Sequence, residues 1–354
     1  MDVPATLSDL PPLDVNPGPA VNCPLSADRP VRWGILATGK IAGAFAENLA
    51  LLPEAEIAAV ASRRLESARE FATRHGAAAA YGSYDELVAD PEVDVVYVAT
   101  PHALHKENVL SAFEAGKPVL CEKALTLNAR DAEELVVAAR DQQLFFMEAM
   151  WMRCNPVIRR IKQIADDGLI GAIQQVRADL GFFVDVAPED RMLNPELGGG
   201  ALLDMGIYPL TFAHLFLGEP DQEQAVATLA PSGIDLNVAI ALGYESGAVA
   251  SLTSTMTSAA PSSASIATQE GRIDIAAPFH APRRATWTSA GQTQEITENV
   301  IGTGLANEAL EVIRCLRNGE AESPLVPLDE TVALMRLMDR IREKIGLRYA
   351  ADSD

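Results

Sequence analysis

VRWGILATGKIAGAFAENLALL, Val31 to Leu52, is the stretch whose reading decides the fold. VRWGIL reads as a strand, GKIAGAFAENLALL carries apolar residues at helical spacing, and ATGKIA, Ala37 to Ala42, must turn between them. The same grammar repeats downstream. IAAVAS is a second strand, ESAREFATRHG a helix with Gly76 as its C-cap, DELVAD a short helix, and VDVVYVAT an apolar run suited to a strand buried on both faces. HKENVLSAFEAG, PVLC, NARDAEELVVAARDQQ and LFFMEAM then add helix, strand, helix and strand. Strands that alternate with helices of about 10 to 15 residues pair in parallel through right-handed crossovers, which predicts an α/β chain with a doubly wound Rossmann sheet over 31–150.

Past Met150 the pattern changes. After the helix PVIRRIKQIADDG come IQQVRADLGFF, AVATLAP, DLNVAIALGY, GAVASLTSTM and GRIDIAA, strand-like runs without regular helices between them. A second α/β domain over 151–354, with a large and mostly antiparallel open sheet, is therefore expected. Near its end DETVALMRLMDRIREKIG sets Val332, Met335, Met338, Ile341 and Ile345 on one helical stripe. Residues 1–30 hold seven of the 22 prolines and no apolar periodicity, the composition of an extended arm.

The chain of 354 residues, with 48% hydrophobic and 22% charged residues, has a globular balance and the length of two domains. A net charge of −21 disfavours nucleic acid, whose binding rests on Lys and Arg, and disfavours an anionic membrane surface for the same reason. The opening MDVPATLSDLPPLD lacks the basic start and apolar core of a secretory leader, and no run is expected to span a bilayer. Cys23, Cys121, Cys154 and Cys315 form no CxxC or Cys/His cluster, so a reduced, cytoplasmic protein without a structural metal is expected.

The turn ATGKIA lies where a dinucleotide fold needs small residues, so that pyrophosphate can approach amides at a helix N-terminus. Gly39 keeps the central glycine, Ala37 and Ala42 take the outer small positions, and Lys40 and Ile41 open the helix. Ala37 is a small departure from the fuller pattern, tolerable where its φ is negative. About twenty residues beyond the turn, the second strand ends in Ser62, Arg63 and Arg64. An acid there would hold the ribose 2′-OH of NAD; a hydroxyl and guanidinium groups instead suit the 2′-phosphate of NADP, which is the cofactor expected.

With these motifs on the page, the chain resembles the glucose-fructose oxidoreductase/inositol dehydrogenase/MocA (Gfo/Idh/MocA) family of NAD(P)-dependent oxidoreductases. The resemblance is carried by GILATGKIA, ASRR, VATPHALH, GKPVLCEKAL and GGGALLDMGIY and runs from about Val31 to Tyr349. MEAMWMRCNP and the GIY ending are most similar to the branch with dimeric dihydrodiol dehydrogenase, D-xylose dehydrogenase and glucose-fructose oxidoreductase. The resemblance implies hydride transfer at a CH–OH or C=O carbon of a sugar or cyclic diol, and a homodimer or homotetramer built through the second domain's sheet. It implies a catalytic or substrate-orienting Lys123, and Asp204 and Tyr208 across a cleft from it, with Tyr208 as proton donor and acceptor. Thr100, Pro101, His102 and His105 match the loop beside the nicotinamide ribose. Ala124 stands where the family has proline. A non-proline cis bond costs about 2.5 to 4 kcal/mol, so a different local backbone is expected there.

The chemistry of these residue types agrees. A tyrosine of pKa near 10 is a poor base until a neighbouring ammonium stabilises its phenolate, which is what Lys123 offers Tyr208. Asp204 precedes Tyr208 by four residues, so on a helix both share a face, where Asp204 can hold a substrate hydroxyl or orient Lys123. The glycines before it read as a flexible lead-in. Glu122 is expected to secure the backbone or the ribose. Trp151 and Arg153 either line the substrate pocket, as an apolar platform and a donor, or pack between domains. Two alternatives stand beside a freely exchanging dehydrogenase. One is a sugar–sugar oxidoreductase with tightly held NADP; the other is a catalytically silent NADP-binding regulator.

Overall fold

The computed structural model describes residues 10–13 and 25–353. In one compact unit, β1 (Val31–Leu36), α1 (Lys40–Leu49), β2 (Ala55–Ala61), α2 (Leu65–His75), β3 (Ala79–Tyr81), α3 (Tyr84–Val88) and β4 (Val95–Val98) follow in order. They continue with α4 (His105–Glu114), β5 (Val119–Glu122), α5 (Ala129–Asp141), β6 (Phe146–Ala149) and α6 (Trp151–Cys154). The strands lie in the order β3-β2-β1-β4-β5-β6, every pair parallel. This is the expected Rossmann sheet. Its central strands are mostly apolar because both faces are covered: all four residues of β4 and of β5 are buried. Trp33, Phe45 and Tyr97 tie α1 to the sheet, with Phe45 stacked on Tyr97 at 3.9 Å between centroids and edge-on to Trp33 at 5.2 Å.

The second unit begins at Asn155 with α7 (Pro156–Asp166), β7 (Ile173–Gly181) and α8 (Ile207–Leu217). There follow β8 (Gln222–Leu229), β9 (Asp235–Gly243), β10 (Val249–Thr255), β11 (Ala264–Thr268), β12 (Gly271–Ile275), β13 (Arg284–Ser289) and β14 (Gln292–Thr297). The eight strands run β14-β13-β12-β11-β7-β10-β9-β8, all antiparallel except the β7–β10 pair. Burial alternates as a one-sided sheet requires: Val238, Ile240 and Leu242 face in, whereas Ala239 and Ala241 face out. The inner face meets α8.

The boundary after 150 falls close to the break between Cys154 and Asn155, but the chain does not stay in the second unit. Ile301–Met335, with α9 (Leu305–Asn318) and the start of α10 (Leu328–Ile345), returns to the Rossmann unit, and Arg336 onward rejoins the second. The apolar face of α9 explains the return: Leu305, Ala309, Val312, Ile313 and Leu316 are buried, and the helix packs against α1 and α6. Asn48 of α1 also accepts the Thr303 N–H at 3.0 Å.

Most of the expected arm, and Cys23, lie outside the described residues. Its described pieces are tied down within their units: Leu25 donates to the Leu316 carbonyl at 2.9 Å, and Arg160 donates to the Pro11 carbonyl at 2.7 Å. The expectation that no run is long enough to span a bilayer needs one correction. Pro195–Leu217 is long and apolar enough by length and composition, but 72% of its most apolar 18-residue window is buried, because it ends in α8, the core helix of the second sheet.

Candidate functional site

At the first turn, Gly39 caps α1 with extended backbone and no side-chain cap, and the first turn of α1 holds no acid. Gly39, Lys40 and Ile41 are exposed, and a Cβ on Gly39 would meet nothing within 4 Å. Uncapped amides therefore face open space, which suits a pyrophosphate. Ala37 does not meet the condition of a negative φ: its φ is +81°. The turn thus holds an alanine in the left-handed region that favours glycine. At the end of β2, Ser62 is half-buried and Arg63 and Arg64 are exposed; Arg64 donates to Ser67 Oγ through Nε at 3.2 Å and Nη2 at 2.9 Å.

The end of β5 is built more densely. Glu122 Oε1 accepts the Tyr97 hydroxyl at 2.5 Å, and its Oε2 accepts the Lys123 N–H at 3.2 Å, so the acid secures backbone as its sequence position suggests. The Lys123–Ala124 peptide is cis. Two histidines hold the following residues. His102 Nε2 lies 3.2 Å from the Lys123 carbonyl oxygen. His105 Nδ1 lies 3.2 Å from the Ala124 carbonyl oxygen and 3.1 Å from that of Leu125, with its Nε2 2.8 Å from that of Thr100. Burial lowers the His105 imidazole to about 4, opposed by these carbonyls; a neutral ring has one N–H and donates on one side only. The sequence reading sets His105 beside a ribose; the structure encloses it completely, with its nitrogens turned to main chain. Thr100 is buried, and its hydroxyl accepts from Asn108 at 3.0 Å, while Pro101 is half-buried at the head of this loop. Lys123 itself is half-buried.

Glu148 on β6 belongs to the same construction and carries no motif. Its Oε1 accepts the Leu125 N–H at 3.0 Å and its Oε2 the Thr331 hydroxyl at 3.1 Å. Burial pushes its carboxyl up to about 7, opposed by these two bonds and by the charges of Lys123 and Arg153. An acid inside the otherwise apolar strand FMEA was the available sequence signal. Trp151 is half-buried, and Arg153 is buried with its Nη1 paired to Glu330 of α10. That guanidinium is engaged inside the Rossmann unit.

In the second unit the glycine run is tight, not a flexible lead-in. A Cβ on Gly199 would lie 2.7 Å from the Met192 carbonyl oxygen, and one on Gly200, whose φ is +130°, 2.2 Å from Asp235 Oδ1. The helix that follows is also unlike the expected plain α-helix: Leu202–Gly206 is π-helical before α8 begins. Such π turns are common where a helix presents functional side chains. Asp204 pairs with Arg191 at 3.1 Å, and Tyr208 is 6% exposed, its ring 4.8 Å from that of His280. His280 is 72 positions along the chain, so no local pattern links it to Tyr208.

A Rossmann sheet whose first turn offers an uncapped, acid-free helix N-terminus defines a dinucleotide-binding protein. The family description "oxidoreductase family, NAD-binding Rossmann fold" matches residues 31–150, and the GFO/IDH/MocA C-terminal domain matches 158–274. The chain belongs to the Gfo/Idh/MocA family and is an NAD(P)-dependent oxidoreductase acting on CH–OH groups. It is 37% identical over 328 residues to a trans-1,2-dihydrobenzene-1,2-diol dehydrogenase of Xenopus laevis, covering 90% of this chain and 99% of that one. The mouse (Mus musculus) enzyme of that name is 36% identical over 334 residues, 91% and 99% of the two chains. Among solved structures, the 3-ketoreductase KijD10 of Actinomadura kijaniata, in complex with NADP and TDP-benzene, superposes with a TM-score of 0.80. It shares 27% identity, over 90% of this chain and 98% of that one. An aldose–aldose oxidoreductase of Caulobacter crescentus shares the fold, with a TM-score of 0.82 at 23% identity over 92% and 99% of the chains.

Proposed function

We propose that this enzyme is an NADP-dependent dehydrogenase of a cyclic diol or sugar, with Tyr208 as proton donor and acceptor assisted by Lys123 and Asp204. The observation that carries the reading is the likeness to trans-1,2-dihydrobenzene-1,2-diol dehydrogenases along nine-tenths of the chain, through both domains. For the cofactor, the residues present fit a dinucleotide. The α1 N-terminus with Gly39, Lys40 and Ile41 would hold its pyrophosphate, and Ser62, Arg63 and Arg64 the 2′-phosphate of NADP. Thr100, Pro101, His102, Glu122 and Lys123 would border its nicotinamide end, with His105 supporting that loop from behind. Bound NADP supplies the hydride acceptor for oxidation and, once reduced, the donor for reduction.

The chain's own residues manage the proton. When the C–H bond of the carbinol breaks and its electron pair leaves with the hydride, the hydroxyl proton passes to the Tyr208 phenolate; in reduction the same phenol returns it. The Lys123 ammonium favours the phenolate over the phenol and donates to the substrate oxygen. Asp204 accepts from a neighbouring substrate hydroxyl, which a vicinal diol or a sugar provides. Trp151 offers an apolar face to the ring of such a substrate. We assign Arg153 to holding Glu330 rather than to substrate.

We further propose a homo-oligomer formed through the outer face of the eight-stranded sheet, where Val226 is 71% and Val249 46% exposed. A cytoplasmic location is proposed on cysteines that stand singly along the chain, with no CxxC or Cys/His spacing among them. The test is turnover of trans-cyclic diols and aldoses with NADP and NAD in parallel. Oxidation of a diol or aldose with preference for NADP supports the reading; NADPH binding without turnover of any member makes the chain a silent regulator.

A further inference from the structure

We propose that Asp235 and Tyr349 are positioning residues, a buried clamp that sets the register of the helix carrying Asp204 and Tyr208. The proposal deepens, and rests on, the reading of Tyr208 as proton donor and acceptor. Asp235 opens β9 and has no exposed surface. Its Oδ2 accepts the Leu202 N–H at 2.6 Å, at the first residue of the π turn. Its Oδ1 has no hydrogen-bond partner among the described residues and lies against Gly200, where a Cβ would come within 2.2 Å of it. The glycine therefore lets the main chain settle onto the carboxylate, and the carboxylate satisfies an amide at a helix start.

The C-terminal segment holds the same run from another direction. The Tyr349 hydroxyl donates to the Gly199 carbonyl at 3.3 Å and lies 3.5 Å from where a Gly200 Cβ would be. Tyr349 is fixed in turn. The Arg342 guanidinium of α10 stands 4.9 Å from the centre of its ring and donates to Asp352 at 3.2 and 2.9 Å, and Asp352 Oδ2 accepts the Tyr349 N–H at 2.8 Å. Two residues distant in sequence thus grip Gly199, Gly200 and Leu202, immediately before Asp204. In a π turn the direction of each side chain depends on where the turn begins, so fixing Leu202 fixes Asp204 and, four residues on, Tyr208. Burial pushes the Asp235 carboxyl up to about 6, while the bond from Leu202 and the charge of Arg342 act the other way.

The experiment compares the full chain with Asp235→Ala, Asp235→Asn, Tyr349→Phe and Tyr208→Phe. It reads kcat and KM on the fastest substrate of the diol and aldose panel, NADPH affinity by fluorescence, and amide hydrogen exchange over 199–208. Asp235→Ala and Tyr349→Phe are expected to speed exchange at 199–208 and to lower kcat about tenfold or more, with NADPH affinity unchanged. Asp235→Asn, which keeps an acceptor oxygen, is expected to recover most of both. Should Asp235→Ala not fold, Tyr349→Phe carries the same test, since it removes one hydrogen bond and keeps the ring beside Arg342. Wild-type exchange over 199–208 in the clamp variants, or faster exchange with kcat unchanged, overturns the proposal. A fully active Tyr208→Phe instead overturns the catalytic reading, while the exchange rates still decide whether the clamp exists.

Discussion

Glu148 accepts the main-chain N–H of Leu125 at 3.0 Å, so an acid buried in β6 holds the backbone two residues beyond Lys123. Its carboxyl is pushed from 4.5 up to about 7 by burial. An acid raised on folding gives stability that is complete below its unfolded pKa and is lost as pH rises through the folded one. The wild type should therefore lose on the order of 3 kcal/mol between about pH 4.5 and pH 7 from this group. Glu148→Gln cannot ionise and keeps an acceptor for Leu125. Urea unfolding over that pH range should show a shallower loss in the variant; parallel curves would show that Glu148 does not titrate there.

Glu308 in the first turn of α9 is wholly buried, and neither carboxyl oxygen has a hydrogen-bond partner among the described residues. Burial first, and then the nearby Glu122, push its carboxyl well above the usual range. The sign is the same as for Glu148: the folded protein holds a neutral acid at a pH where the unfolded chain gains by ionising it. Glu308→Met, of similar size and apolar, should stabilise the protein by about 1–3 kcal/mol at pH 8, and by less at pH 4. Denaturation midpoints at the two pH values check this, and destabilisation at pH 8 would contradict it.

Ala37 carries a φ of +81° in the turn between β1 and α1. Left-handed backbone costs a non-glycine residue roughly 1–2 kcal/mol, and glycine returns part of that through its freer unfolded chain. Ala37→Gly should stabilise by about 0.5–1 kcal/mol, and Ala37→Val, branched at Cβ, should destabilise. Thermal melts of the two variants read the difference directly.

Arg63 and Ser62 carry the proposed preference for a 2′-phosphate. Arg63→Ala should weaken NADPH binding about tenfold or more, the loss of one charge-assisted contact, and leave NADH binding within about twofold. Titration of intrinsic fluorescence with each nucleotide separates the two. Equal losses would remove Arg63 from the 2′-phosphate.

Much of this architecture was legible in the chain because the period of the apolar residues is local information. VDVVYVAT reads as a doubly covered strand, and β4 lies at the centre of a parallel sheet. The end of β5 could be singled out as a candidate site because the rim of such a sheet is where ligands bind. What escaped depends on contacts distant in sequence. The stripe on α9 announces burial but not against which helix, so the return of Ile301–Met335 to the Rossmann unit was hidden. Gly199 and Gly200 read as loose until Asp235 and Met192 stand against them. His105 looked like a ligand residue because its motif lies at the rim, whereas its ring is enclosed between the Thr100 carbonyl of its own loop and those of Ala124 and Leu125 from another.

Tyr208→Phe is the most direct test of the central claim, because it removes one hydroxyl and leaves the buried ring beside His280. With NADPH affinity measured alongside kcat on the fastest diol or sugar, the account predicts a fall in kcat of about a hundredfold or more. NADPH affinity should stay within about twofold, since the proton and not the nucleotide is what the phenol handles. Equal losses in both quantities, or undiminished turnover, would contradict it and make Tyr208 a structural tyrosine.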